Sequence, residues 1–259
     1  MKMRLSLAAL GVLLLASTAQ AGWVVHQQTP GGPSTMYLQD NKVRAGSGQG
    51  GVIYDLNNET VTMLNPSRKA YWSGKPQQLN QQMNQALDAR MEQALKQAPP
   101  EQREQMRAMM QRQMGRGGQG RMGGMAPPTA KVEVKATGQS AKMAGYQARE
   151  YQVYVDGRLR QEMWIAEVPG FQREMDMAKM MKLAHAMRAG APGPGLGWRR
   201  SEAVQKLMAQ GMPMKIVEHG HGGAQTVMSV TKLEKKPLPA STFQAPAGWK
   251  KVDFSQMMR

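Results

Sequence analysis

The dipeptide Asp156-Gly157 stands between two stretches of alternating side chains, Tyr146–Val155 and Arg158–Ala166. Both residues tolerate positive φ, which a two-residue hairpin turn of the favoured kind demands at both central positions. On the first stretch Tyr151, Val153 and Val155 fall on one face, and on the second Leu159, Met163 and Ile165 do so. A chain with this pattern has to build antiparallel sheet that buries one face. Asp40-Asn41 sits the same way between residues 35–39 and 42–45, and Asn57-Asn58 between 52–56 and 60–64, so each predicts a two-residue hairpin. Residues 23–28 predict a strand ahead of these. A turn at 66–69 leads into Ala70-Tyr71-Trp72. Residues 131–136, 214–218 and 226–233 predict further strands, the last two around a Gly/His loop, and 237–249 reads as an extended tail.

Two regions change period. Across residues 78–96, Leu79, Met83, Leu87, Met91 and Leu95 recur every fourth position, the spacing of one helix face. Pro99-Pro100 interrupts the stripe, which resumes over 101–114 with Met106, Met109, Met110 and Met114. Residues 115–124 form a Gly/Arg/Gln run predicted to be disordered, and Pro127-Pro128 ends this Gln/Met-rich insert of 76–128. Residues 171–188 predict a second helix, carrying Met177, Met180, Met181, Ala184 and His185. After a Gly/Pro loop at 189–197, residues 200–209 predict a third, with Ser201 as N-cap. Antiparallel strands with helices gathered to one side define an α+β fold in which the insert and 171–210 cover one face of the sheet.

The N-terminus carries an address. Lys2 and Arg4 precede an apolar run over residues 5–16, and Ala19-Gln20-Ala21 is a small-x-small cleavage site, the three parts of a secretory signal. The run is shorter than the roughly 20 apolar residues a membrane span needs. The expectation is cleavage after Ala21, no lipid anchor, no transmembrane helix and a soluble periplasmic protein, residues 22–259, with a single sheet domain interrupted by the insert. The chain has no Cys, which excludes disulfides, thiolate metal sites and an acylated N-terminal Cys. It has 34 Lys and Arg against 18 Asp and Glu, and removing Lys2 and Arg4 leaves a net charge of +14. Export removes nucleic acid from the partners such a charge would suit and leaves anionic surfaces, such as a membrane face.

A search for catalytic signatures finds no Gly-x-Ser-x-Gly elbow, phosphate loop or His-Glu-x-x-His, and the four His are scattered, so a non-enzymatic protein is expected. No cofactor is implied, with one exception. The chain has 25 Met, and thioethers are soft donors that suit Cu(I). Met106, Met109, Met110 and Met114 share a helix side; Met212 and Met214 precede His219 and His221 on a flexible loop. These eight are the candidate metal ligands. Met at such spacing also packs cores, where its flexibility fills irregular gaps. The stripe over 76–114, flanked by Arg90, Lys96, Arg103, Arg107 and Arg112, reads equally as a lid over the sheet, a helix lying on an anionic membrane, or a surface for a protein partner whose identity is unknown.

Several segments resemble an uncharacterised envelope family catalogued as domain of unknown function 4412. They are Asp40-Asn41-Lys42-Val43-Arg44 followed by Val52-Ile53-Tyr54-Asp55; Met63-Leu64-Asn65-Pro66-Ser67-Arg68-Lys69-Ala70-Tyr71; Met143-Ala144-Gly145-Tyr146-Gln147-Ala148-Arg149-Glu150-Tyr151 followed by Glu162-Met163-Trp164-Ile165; and Phe243-Gln244-Ala245-Pro246-Ala247-Gly248-Trp249. The arrangement also resembles the wider Lol-type lipoprotein-carrier fold. That resemblance implies a strongly curved antiparallel sheet, an incomplete barrel, closed by helices, with a concave apolar face for acyl chains. It implies no catalytic residues, and the 76–128 insert departs from the compact carriers. The leading expectation is a periplasmic protein that holds an apolar or lipid-like ligand on the concave face of its sheet. The alternatives are Cu(I) handling through Met and His, and an envelope interaction module that uses the insert.

Overall fold

The computed structural model of the chain describes residues 21–97, 99, 130–187, 197–220 and 222–257. The turns form where their chemistry places them. Asp40 and Asn41 take φ of 50° and 61°, and Asp156 and Gly157 take 51° and 75°. Each pair closes a hairpin. A third pair, Ala144-Gly145 (φ 46° and 93°), closes a hairpin that alternation did not announce, because the strand before it is largely exposed on both faces.

Twelve strands result: β1 Ala21–Thr29, β2 Gly32–Gln39, β3 Lys42–Gly46, β4 Gly51–Asp55, β5 Thr60–Asn65, β6 Ala70–Gly74, β7 Val132–Met143, β8 Tyr146–Val155, β9 Arg158–Ala166, β10 Met212–Gly220, β11 Gly223–Pro237 and β12 Lys250–Lys251. Four helices accompany them: α1 Pro76–Gln97, α2 Met177–Met187, α3 Glu202–Ala209 and α4 Phe254–Met257. The strands form one sheet in the order β12-β6-β5-β4-β3-β2-β1-β11-β10-β9-β8-β7. The short β12 runs parallel to β6; the other pairings are antiparallel. The sheet does not close, so the architecture is α+β, an incomplete barrel with helical cover.

The first meander and the second meet at β1 and β11, which pair over most of the length of β1. Their registers differ. From β1 to β6 every pairing runs without a shift. From β7 to β11, and at the β1–β11 seam itself, every pairing is interrupted once. A bulge of this kind bends and twists the strand that carries it.

Opposed residues share a face, and two rows run across the first meander on the helical side. One contains Val25, Met36, Ala45, Val52, Met63 and Trp72; the other Trp23, Leu38, Val43, Tyr54 and Val61. Trp23, Phe171, Leu38 and Val43 anchor one core cluster, which continues to Met212 and Met214. Trp72, Val61, Leu56, Leu79, Leu183 and Phe254 form a second, beneath α1, α2 and α4. Val204 and Leu207 of α3 press on Val153, Met163 and Ile165 in a third. The opposite face is crossed by the chain after β11. There Arg44 Nη1 donates to the Thr242 carbonyl at 3.3 Å, and a Cβ on Gly22 would stand 2.8 Å from Leu238 Cδ1 and 2.5 Å from the Leu38 carbonyl oxygen. This glycine is required by the close approach.

Several expected boundaries shift, each for a local reason. The helix expected over 171–188 begins only at Met177: Glu174 is held against the β2–β3 turn, and Asp176 caps the helix by accepting from Lys179 N at 3.1 Å. The Asn57-Asn58 turn has four residues rather than two, because Asp55 Oδ1 accepts from both Asn57 N and Asn58 N, at 3.1 and 3.0 Å, and Leu56 plugs into the core at 2% exposure. Strands β7, β10 and β11 are longer than expected, and the chain beyond the expected tail of 237–249 forms β12 and α4. Pro76 opens α1, a position where its missing N–H costs nothing. Ser201 caps α3 as expected, its hydroxyl accepting from Val204 N. The expected stripe over 101–114 and run over 115–124 lie outside the described residues.

Candidate functional site: a methionine-lined cleft

Between β9 and α2 the chain crosses the helical side of the sheet as a strap, residues 167–176, before it becomes helical. Polar bonds fix its far end to the hairpin tips of the first meander. Asn41 N donates to the Glu174 carbonyl at 2.9 Å, and Asp40 N to Glu174 Oε2 at 3.1 Å. Asp176 N donates to Asn41 Oδ1 at 2.7 Å. Beyond it, Lys179 Nζ reaches Asn57 Oδ1 at 2.9 Å and Lys182 Nζ reaches Glu59 Oε1 at 2.6 Å. The Lys182 ammonium holds the Glu59 carboxyl below its ordinary pKa, by hydrogen bond first and by charge second. On the near side Gln172 Nε2 donates to the Ala209 carbonyl at 2.9 Å, which ties the strap to the end of α3. Next to Gln172, Phe171 stands against Trp23 with ring centres 6.0 Å apart.

Where the strap leaves the sheet it encloses a cleft of about 550 Å³. Gln27, Met36 and Met228 of β1, β2 and β11 line it from the sheet. Phe171, Gln172, Met175 and Met177 line it from the strap and α2, Met208 from α3, and Gly211, Met212 and Pro213 from the start of β10. Six of these eleven residues are Met, and only the two Gln are polar. No carboxylate, imidazole or cation lines the cleft. A second hollow of about 460 Å³ adjoins it, sharing Phe171, Gln172, Gly211 and Met212, and adds the charged side chains Glu167 and Arg173. Lys235 Nζ stands beside it, 3.7 Å from where a Cβ on Gly170 would be. A larger hollow lies at the β6 edge among Ser73, Gln78, Gln82, Asp253 and Gln256. It is polar, and its Trp72 is committed to Gln82, Nε1 donating to Oε1 at 2.8 Å.

The register shifts explain the position of the cleft. Thr231 is the extra residue in β11 opposite His26-Gln27, and Val227 the extra residue opposite Ile216-Val217. Met214 is the extra residue in β10 opposite Trp164-Ile165. The lining residues Gln27, Met228, Met212 and Pro213 all neighbour these bulges.

Three of the expected metal ligands, Met212, Met214 and His219, fall among the described residues, and they stand apart from one another. Met212 is in the cleft at 4% exposure, whereas Met214, the bulge residue, is fully buried in the core. His219 lies seven residues along β10 from Met212, about 23 Å at the rise of an extended strand, and its Nε2 is 3.0 Å from Glu162 Oε1. His221, Met106, Met109, Met110 and Met114 lie outside the described residues. Among the described residues no group of three or more His, Asp or Glu is placed to hold a metal ion, and no helix is long and apolar enough to cross a membrane. The cleft's own methionines are drawn from six separate segments, so no sequence window contains them. Met175 and Met177 belonged to a run visible in the sequence; Met36, Met208 and Met228 gave no signal. At the seam, Glu234 gathers Lys232 Nζ at 2.6 Å, His26 Nε2 at 3.1 Å and Lys236 Nζ at 3.7 Å. The hydrogen bond from Lys232, then that from His26, draws its pKa down to about 2.

A family model described as "Domain of unknown function (DUF4412)" matches residues 89–249. No curated protein matches the chain. Among solved structures, one described as PNGF-II aligns over 93% of this chain and 32% of its own, at 12% identity and a TM-score of 0.34. MucB aligns over 90% of this chain and 60% of its own, also at 12% identity and a TM-score of 0.34. The chain thus spans well under two thirds of the length of either.

Proposed function

The chain belongs to the family of unknown function DUF4412, and on that footing we propose that it is a non-enzymatic periplasmic protein that holds an apolar or lipid-like ligand in the cleft between strap and sheet. The observation that carries this reading is the lining: six Met and a Phe around about 550 Å³, with two Gln as the only polar groups. Burial of apolar surface would drive entry at roughly 25 cal/mol per Å². Methionine suits the purpose because its flexible side chain repacks around ligands of different shape. The adjoining hollow with Arg173, and Lys235 at its margin, would receive the polar end of an amphiphile and favour an anionic one. The family's description names no activity, and the histidines His26 and His219 each face a carboxylate rather than the cleft.

The test is extraction. Protein purified from the cell envelope is extracted with organic solvent and analysed by mass spectrometry, and the stripped protein is then titrated with a fluorescent fatty acid. A bound acyl compound, and saturable rebinding that Met36→Trp abolishes by filling the cleft, are the expected results. A protein that carries no lipid and binds none added would sink the reading.

A further inference from the structure

The same six side chains carry six thioether sulfurs, and apolarity alone does not account for them. No Leu, Ile or Val lines the cleft. Each of those would be as apolar as Met, and ordering a Met side chain costs about twice the rotamer entropy of a Leu. What Met adds is a soft, neutral sulfur donor. Met36, Met212 and Met228 project from β2, β10 and β11, Met175 and Met177 from the strap and the first turn of α2, and Met208 from α3. Three rotatable bonds per side chain allow sulfurs from different elements to converge.

We propose that this cleft is a thioether site for a soft monovalent ion, Cu(I) or Ag(I), with Met36, Met212 and Met228 as its floor and Met175 closing it from the strap. The donor set selects the ion. Soft sulfur suits Cu(I), while hard cations want oxygen and zinc wants thiolate, imidazole or carboxylate. A set of neutral ligands cannot offset the second charge of a divalent ion in an apolar enclosure. Thioethers do not titrate, so affinity is flat with pH where a histidine site would weaken on acidification. Its residues are other than the Met106, Met109, Met110 and Met114 stripe read from the sequence, and it does not depend on an acyl ligand being the natural occupant.

The experiment starts from a full-length background in which Met106, Met109, Met110 and Met114 are Leu, so that the cleft is tested apart from the stripe. Ag(I), which is redox-inert, and Cu(I), supplied anaerobically against a chromophoric chelator, are each titrated in. One equivalent per chain is expected, with the same affinity from pH 5.5 to pH 8. Adding Met36→Leu, Met175→Leu, Met212→Leu and Met228→Leu conserves apolar volume and is expected to remove that equivalent, while the thermal midpoint persists. Retention of the ion by the Leu variant, no binding by the background protein, or a steep fall in affinity below pH 6.5 each overturns the thioether site. Loss of fatty-acid binding in the parent protein would instead remove the acyl reading and leave the metal result standing. If the quadruple variant unfolds, the single Met36→Leu and Met228→Leu variants, both at half-buried positions, decide by a loss of at least tenfold in affinity.

Discussion

The helical cover meets the sheet in two apolar regions of opposite character. Beneath α1, α2 and α4 the contact is sealed. Leu56, Val61, Trp72, Leu79, Leu183 and Phe254 are each less than a tenth exposed, and Trp72 meets Phe254 edge-on with ring centres 6.4 Å apart. Between the strap and the end of α3 the contact stays open and methionine lines the gap, although Val204 and Leu207 of α3 are themselves packed on the sheet. The strands below explain the contrast. Those under the sealed region pair in unbroken register, so their rows of side chains present a regular surface that helices can fill. At the open region bulges interrupt the β1–β11, β10–β11 and β9–β10 pairings, while β1 and β2 pair unbroken, and the bent surface departs from a strap whose far end is fixed by polar bonds. The open site arises where a regular half of a sheet joins an irregular one.

The contrast can be broken first at its strongest point. Trp72→Ala is expected to cost about 3–5 kcal/mol in denaturant unfolding, because it removes a ring from a filled region and leaves a cavity there. A loss below about 1 kcal/mol would show that this region is not sealed. Next in size, Met36→Ala and Met228→Ala are expected to cost no more than about 1 kcal/mol each, since these half-buried side chains already face open space and leave no new void. Losses of about 3 kcal/mol would mean that the cleft is packed in solution. The smallest effect sits at the seam. Glu234 has a folded pKa of about 2 against an ordinary 4.5. Its contribution is therefore complete above about pH 4.5 and is lost as the pH falls toward 2. Glu234→Gln should lower stability above about pH 4.5 and flatten the acid limb, so that its difference from the parent shrinks as the pH falls toward 2. An unchanged acid limb would show that the Lys232 and His26 contacts do not persist in solution.

Much of the framework was legible from residues alone. Asp-Gly and Asp-Asn pairs tolerate positive φ wherever they occur, so the hairpins at 40–41 and 156–157 follow from local chemistry. The period of four between Leu79 and Leu87 likewise foretells α1, and Ser201 foretells the start of α3. Local reading fell short where a distant partner intervened. The 171–176 stretch has helical spacing, but the β2–β3 turn takes Glu174 and Asp176 for its own hydrogen bonds. The Asn57-Asn58 turn lengthened because the side chain of Asp55, at the end of β4, binds the backbone of both Asn residues and because the core takes Leu56.

The sequence by itself determined the class of the protein: antiparallel hairpins, helices of fixed period, a chain without thiols and rich in thioethers. Those properties rest on interactions between residues close along the chain, or on composition, and need no tertiary knowledge. The tertiary structure decided which methionines matter. Met36, Met175, Met177, Met208, Met212 and Met228 come together because β1 pairs with β11 across some 200 residues of chain, because bulges bend the strands beside that seam, and because the strap is tied at Gln172 and at its far end through Glu174 and Asp176. Each of these is a contact between distant segments, and no local pattern encodes such a meeting.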